Sequence, residues 1–434
     1  MSLDLLFLHL ERSAGLCLDV VITNPHPITH SVLCKEAHRF GRFIVDDVRL
    51  SPVWEDAFPE AASSLEELRI DAHPHYPSLG FLVPIFDGSF PKLRSLKLRN
   101  VPFWSTGMFK DLSHLEFVNR VQTLPLFIPL LLDVLHESPL LETLSIESYC
   151  NLSDMQYACH VAPLPNLRRL RVTLDAVTKL LHLIDLPPST NIEIVRSFCE
   201  VTETSGNVLS CLHSGLPWIN FLDGTQEITI LPNTNIMSVK MRNRHNGVIT
   251  IDVKDIPATA HGLGDVMPPL YYPLLINTFD AMSRLATLKS TSSLSITIPE
   301  AARNDLLYTV VEGFACPKWR ELLQNLENLT SLAVPLPFAL LPVQVVVLSS
   351  SGSAVMCPRL RKVAITMDIP ADEVSDEHLR RVTKFVEARN DWGSPLSSLD
   401  VDVSVATPIS KEVRAEYTKT WGALVGDLTF SVRF

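Results

Sequence analysis

Glycine is scarce in this chain, at 16 of 434 residues, and the scarcity removes a class of function. Loops that wrap phosphates bring backbone N–H groups close to the ligand, an approach that glycine permits and most side chains obstruct. The Gly-x-x-x-x-Gly-Lys loop, the Gly-x-Ser-x-Gly nucleophile turn and the His-Glu-x-x-His helix are all missing. The usual carriers of nucleotide hydrolysis, acyl transfer and zinc proteolysis are therefore not here. Eight cysteines (Cys17, Cys34, Cys150, Cys159, Cys199, Cys211, Cys316 and Cys357) are scattered without a Cys-x-x-Cys pair. They are expected to be reduced core residues.

Positive charge is short as well. Against 48 acidic residues stand 37 basic ones, a formal charge of −11, with no long Lys/Arg run. A nucleic-acid partner needs a basic stripe to neutralise phosphates, so none is expected. Long apolar runs are lacking too: the windows 124–135 and 334–348 are short, and Pro125, Pro129 and Asp133 break one while Pro335, Pro337 and Pro342 break the other. No membrane span is expected. At the N-terminus Asp4 stands where a secretion signal needs a base, and Glu11 and Arg12 end the apolar stretch early. Export is not expected, and the expected location is the cytoplasm or nucleus.

What the chain has in quantity is one phrase, Leu-x-x-Leu-x-(Leu/Ile/Val/Phe). It occurs at Leu65–Ile70, Leu93–Leu98, Leu112–Phe117, Leu141–Ile146, Leu167–Val172 and Leu329–Val334, with looser copies at Leu360–Ile365 and Leu396–Val401. In a short strand alternate side chains point to opposite faces, so the last two apolar residues enter a core while the residue between them faces solvent. Stacked units of this kind bury a seam that no single unit could bury alone. The phrase is the strand signature of a leucine-rich repeat. Successive central leucines, Leu68, Leu96, Leu115, Leu144 and Leu170, lie 28, 19, 29 and 26 residues apart, which makes the array irregular. Length alone would suggest about three compact domains, but a repeat array can run as one solenoid.

Between strands the spacing turns helical. Phe127, Leu131, Leu132 and Leu135 share a face before Ser138-Pro139, and Val177, Leu180, Leu181 and Ile184 do so before Pro187-Pro188. Further helices are predicted around Leu275–Leu285 and Trp319–Leu326. Ser375 caps a helix with a stripe of Leu379, Val382, Phe385 and Val386, ended by Gly393 and Pro395. A strand at 399–403, a helix over 411–424 and a strand over 428–434 close the chain. In the middle third, 227–230, 236–241 and 248–253 alternate like strands around a strong Asn246-Gly247 turn signal. Either an antiparallel insertion interrupts the array there or the repeats shorten. A strand over 16–22, a helix over 31–39 and an extended 43–50 form the N-terminal unit.

The fold class expected is α/β: an irregular leucine-rich-repeat solenoid over 1–434, with parallel strands on the concave face and helices on the convex face. Its parts are an N-terminal unit (1–57), the most regular repeats (58–200), an irregular region (201–285) and C-terminal repeats with a closing helix and strand (286–434).

Leu10-Glu11-Arg12-Ser13 leading into Leu16-Cys17-Leu18-Asp19, His38-Arg39-Phe40 ahead of Phe43-Ile44-Val45, and Phe90-Pro91-Lys92-Leu93-Arg94-Ser95-Leu96 carry a resemblance. Together with Ser138-Pro139-Leu140-Leu141-Glu142-Thr143-Leu144 they make the chain similar to the F-box and leucine-rich-repeat proteins of mushroom-forming fungi. The resemblance covers most of the chain and implies the target-reading part of a ubiquitin-ligase receptor. Family members dock a Skp-type adaptor and cullin through an N-terminal F-box; no such segment is visible here, so that partnership would need an F-box supplied upstream. The family's asparagine ladder is missing as well, since His73, Val101, Tyr149 and Asp175 occupy its positions.

Candidate binding residues are the solvent-facing ones of the strands. Arg69, Lys97, Glu116, Ser145 and Arg171 form a column inside each Leu-x-Leu. Glu67, Ser95, His114, Thr143 and Arg169 form the neighbouring column, and Asp71, Arg99 and Glu147 stand on the other side. Mixed signs suit an unknown target protein better than a polyanion. No catalytic residue, cofactor or metal is expected. His26 with His30, and His73 with His75, read as loop histidines, and the glycosylation patterns at Asn151 and Asn328 would go unused without export.

Overall fold

The computed structural model describes residues 3–23, 33, 35–48, 62–72, 90–101, 109–119, 128–148, 161–174, 180–181, 183–197, 209, 222, 224–232, 236–254, 271–297, 316–335, 357–369, 375–405 and 409–433. The chain is mixed α/β, its sheet mostly parallel and not closed into a barrel. It divides into two compact units, Met1–Val195 with Leu216–Trp218, and Arg196–Gly215 with Ile219–Phe434.

The first unit opens with α1 (Leu3–Arg12) and β1 (Leu18–Thr23), then β2 (Phe40–Val48), β3 (Glu67–Ala72), β4 (Ser95–Arg99) and β5 (His114–Asn119). After α2 (Ile128–His136) come β6 (Thr143–Ser148), β7 (Ala162–Pro163), β8 (Arg169–Leu174), β9 (Ile184–Asp185) and β10 (Asn191–Ser197). The strands β1, β2, β3, β4, β5, β6, β8 and β10 pair in that order, all parallel. A parallel neighbour needs a crossover rather than a tight turn, and the spacing between phrases supplies it. The stub β7 pairs only with β9. Of the helix predicted over 31–39, Leu33 is helical, Lys35 and Glu36 form a turn and Ala37–Arg39 a short 3-10 turn feeding β2, while 31, 32 and 34 lie outside the described residues.

The second unit holds β11 (Thr225–Pro232), β12 (Met237–Asn243), β13 (Val248–Lys254), α3 (Tyr271–Arg284), β14 (Ser293–Ile296), α4 (Cys316–Asn325) and β15 (Ser331–Pro335). It continues with β16 (Lys362–Ile369), α5 (Ser375–Asp391), β17 (Ser398–Val405), α6 (Lys411–Leu424) and β18 (Asp427–Arg433). The middle third resolves as antiparallel. β12 lies between β13 and β11, antiparallel to both, and β11 then starts a parallel run through β14, β15, β16, β17 and β18. Asn246 takes the left-handed conformation (φ 64°) in the turn, while Asn243 Oδ1 accepts from the backbone N–H groups of His245 and Gly247. An asparagine tolerates that φ where a branched residue would not.

All eight copies of the phrase bury their three apolar residues, from Leu65, Leu68 and Ile70 to Leu396, Leu399 and Val401. Two backbone devices recur with them. A turn precedes the first leucine, as in Leu65 N–H to Ala62 O, Leu93 to Phe90, Leu141 to Ser138, Leu167 to Leu164, Leu329 to Leu326 and Leu360 to Cys357. The next residue's carbonyl then accepts two consecutive N–H groups from the following strand: Glu66 O takes those of Arg94 and Ser95, Glu142 O those of Arg168 and Arg169, and Arg361 O those of Ser397 and Ser398. These brackets satisfy polar backbone at the point where each strand begins.

At the other strand end, Asn100 satisfies a backbone carbonyl of the neighbouring strand. Buried in the left-handed conformation (φ 53°), it donates from Nδ2 to Ala72 O of the preceding strand at 2.9 Å. It stands two positions beyond Leu98 rather than three. Asn119 and Ser148, paired in register, are buried at the matching positions.

Helices carry the stripes read from the sequence, except that Ile184, placed in a helical stripe with Leu180 and Leu181, lies in β9. Phe279 of α3 packs on Trp319 of α4, and Leu379, Val382, Phe385 and Val386 of α5 are buried. Arg389 near the end of α5 is buried and donates to three carbonyls, those of Ser394, Cys357 and Leu360. It fixes the helix end to the turn before β16.

That turn contains Cys357, a free thiol whose burial pushes its pKa up to about 12 from 9.0. Cys17 is also free but exposed, which corrects the expectation that it is a core residue. Its chain neighbourhood at the sheet edge leaves it uncovered. Iodoacetamide at mildly alkaline pH should therefore label Cys17 and spare Cys357 until denaturant is added, as peptide mapping by mass spectrometry will show. Because the raised pKa belongs to an acid neutral when protonated, the unfolded chain loses this proton first as pH rises. Stability from this group is full below pH 9 and is lost between about pH 9 and 12. The Cys357→Ala variant should show a flatter decline than the parent over that window.

Candidate functional site

Register brings the predicted binding residues together on one face of the first unit. Glu67, Ser95, His114, Thr143 and Arg169 are neighbours strand to strand, as are Arg69, Lys97, Glu116, Ser145 and Arg171. A third row runs Asp71, Arg99, Val118, Glu147 and Thr173. Residues two apart on a strand share a face, so all three rows lie on the side opposite the buried leucines.

The charges on this face are paired to one another. Glu67 takes the guanidinium of Arg42 at 3.0 Å and the ammonium of Lys97 at 3.2 Å. Arg69 lies 3.1 Å from Asp46 and 3.8 Å from Asp71. Arg99 approaches Asp71 at 3.7 Å and donates to Glu116 from two nitrogens, at 2.8 and 3.2 Å. The hydrogen bond to Glu116 raises the pKa of Arg99, and the charges of Glu116, Asp71 and Glu147 add to it. His114 meets Ser113 through Nδ1 at 2.8 Å. Arg169 and Arg171 both face Glu193, at 3.6 and 3.5 Å.

Arg42, Asp46 and Glu193 belong to this face although the repeated phrase does not mark them. Arg42 of β2 is in register with Glu67, Asp46 lies at the irregularity that follows Val45 of β2, and Glu193 of β10 is in register with Arg171. Alternation was the available signal: Phe43 and Val45, like Ile192 and Ile194, are buried, and that places the charged residues between and beside them outward.

The corresponding positions of the second unit carry little charge on β14 and β15, where Ser293, Ser295, Ser331 and Ala333 occupy them. Charge returns with Lys362 of β16, in register with Ser331, and on β17, where Asp402 accepts from Ser431 Oγ and pairs with Arg433 of β18. Among the described residues no group of His, Cys, Asp and Glu is placed to hold a metal ion, and no helix is long and apolar enough to cross a membrane. His26, His30, His73, His75 and Asn151 lie outside the described residues. Asn328 is engaged at both ends of its amide, donating to Lys289 O at 2.8 Å and accepting from Arg359 at 2.6 Å.

Such a face can present a fixed pattern of alternating charge and hydroxyl groups. Comparison with protein-family models finds no match to this chain, and comparison with curated proteins finds none either.

Proposed function

We propose that the chain is an irregular leucine-rich-repeat solenoid that binds another protein through the polar face of its first unit. The observation that carries this reading is the three aligned rows of side chains, charged or polar except at the buried Val118, with ion pairs between them over a seam of buried leucines. Paired charges are pre-oriented, so a partner of matching pattern binds without paying to order them. The turn-and-bracket device repeated at each phrase supports the solenoid part of the reading.

By its resemblance, the chain serves in the cytoplasm or nucleus as the target-reading part of an F-box-like ubiquitin-ligase receptor, with a Skp-type adaptor and cullin as further partners if an F-box is supplied upstream. The alternative is a scaffold unconnected with ubiquitin. Affinity capture separates them: recovery of a Skp-type adaptor and cullin with a full-length tagged protein supports the receptor, and their repeated absence rejects it.

The face itself is tested with Arg69→Gln combined with Lys97→Gln. Glutamine is chosen because glutamate at position 69 would confront Asp46 and Asp71. Loss of half-exposed pairs should change stability by under about 1 kcal/mol, while affinity for a captured target falls at least about tenfold. Unchanged affinity, measured by surface plasmon resonance, would move the binding site elsewhere.

A further inference from the structure

The balance of charge across the polar face is uneven in one place. On β4, Lys97 and Arg99 are answered by Glu67, Asp71 and Glu116. On β8, Arg169 and Arg171 have one carboxylate between them, that of Glu193. Its distances of 3.6 and 3.5 Å are loose beside the 2.8 Å contact of Arg99 with Glu116. On the opposite flank, register sets the hydroxyls of Thr143 and Ser145 beside Arg169 and Arg171. The arginine side chains are 63% and 43% exposed. Among the described residues no second acid meets them.

We infer that Arg169 and Arg171, flanked by Thr143 and Ser145, form an anchor for a carboxylate side chain in an acidic segment of the partner protein. The inference rests on the polar-face reading and names the partner's chemistry. Two side chains at i and i+2 stand roughly 7 Å apart, a span that one carboxylate bridges when each guanidinium donates to one of its oxygens. Two guanidiniums against Glu193 leave one uncompensated positive charge. A carboxylate cancels it, whereas a phosphomonoester, carrying about −1.5 to −2, overshoots. Thr143 and Ser145 add hydroxyl donors from the neighbouring strand.

The probe is a fluorescein-labelled Gly/Ser peptide carrying a run of glutamates, with matched peptides in which glutamine or phosphoserine replaces glutamate. Anisotropy titrations at low ionic strength compare the full chain with Arg169→Gln/Arg171→Gln, with Glu193→Gln, and with Arg168→Gln, an exposed arginine on the neighbouring rim. The glutamate peptide should bind the parent and the glutamine peptide should not. The double variant should lose about tenfold or more, while Glu193→Gln, which removes the competing acid, should bind about threefold tighter. Arg168→Gln should match the parent, and all variants should melt with it.

Absence of binding to the parent overturns the anchor, as does equal loss in Arg168→Gln and the double variant. Phosphoserine binding tenfold tighter than glutamate overturns the choice of carboxylate. If the anchor fails while Arg69→Gln/Lys97→Gln still weakens a captured target, the polar-face reading stands without it. If both fail, both are rejected.

Discussion

Leu96→Asp removes the cooperative unfolding transition of the first unit. Leu96 is fully buried in β4, between Leu68 of β3 and Leu115 of β5, which are buried as completely. An aspartate there meets no basic side chain on its face among the described residues of β3, β4 and β5, because Lys97 and Arg99 point the other way. It either buries a charge or drags β4 out of the sheet. Burial of an unpaired charge is among the few single changes that cost more than about 4 kcal/mol, and a whole domain has only about 5–15 kcal/mol in hand. Because β4 is the sole link between β3 and β5, the damage spreads to both neighbours. Leu96→Ala serves as the graded control, with a loss of about 2–5 kcal/mol from the cavity alone. Circular dichroism melts with limited proteolysis read both; a Leu96→Asp protein that melts like its parent would mean that β4 is not packed as described.

Trp421→Ala should detach α6 from the second unit. Trp421 is fully buried, its ring 5.3 Å from Tyr417 and 5.1 Å edge-on from Phe430 of β18. Its indole N–H donates to Thr383 Oγ1 of α5 at 2.9 Å. One side chain thus joins two helices and the last strand. Tyr417 and Trp421 are the buried residues of α6; the exposed Arg414, which donates to Phe430 O and lies over the Phe430 ring, is a further tie to β18. Truncation should cost about 3–5 kcal/mol in urea titrations. Trp421→Phe keeps the ring contacts and loses the hydrogen bond, for about 1 kcal/mol. A loss below about 1 kcal/mol for the alanine variant would show that α6 is held by something else.

Much of this architecture was legible because it is local. Alternation of apolar and polar residues decides which face of a strand is buried, whatever lies beside it, and the repeated leucines accordingly mark β3, β4, β5, β6, β8, β15, β16 and β17. The end of α5 was equally readable: Gly393 supplies the left-handed φ of 67° after it, and the helix runs where its stripe places it. Of the helix expected over 31–39, Leu33 is helical but Ala37–Arg39 tighten into a 3-10 turn leading into β2, a difference that the short apolar pattern does not carry.

What the sequence by itself determined is which side chains enter the core and which remain outside, since that follows from a period of two or of 3.6 along a single segment. Direction and pairing were decided only in the tertiary structure. Asn246-Gly247 announced a turn, yet antiparallel β11, β12 and β13 became a fact only when the strands were registered. Glu67 reaches Lys97 and Arg42, and Arg69 reaches Asp46, across strands more than twenty residues apart in the chain. Such contacts depend on which rows align and on which loops bring them there. The excess of arginine over carboxylate on β8 is therefore a property of the assembled face, because Glu193 comes from a strand that carries no copy of the repeated phrase.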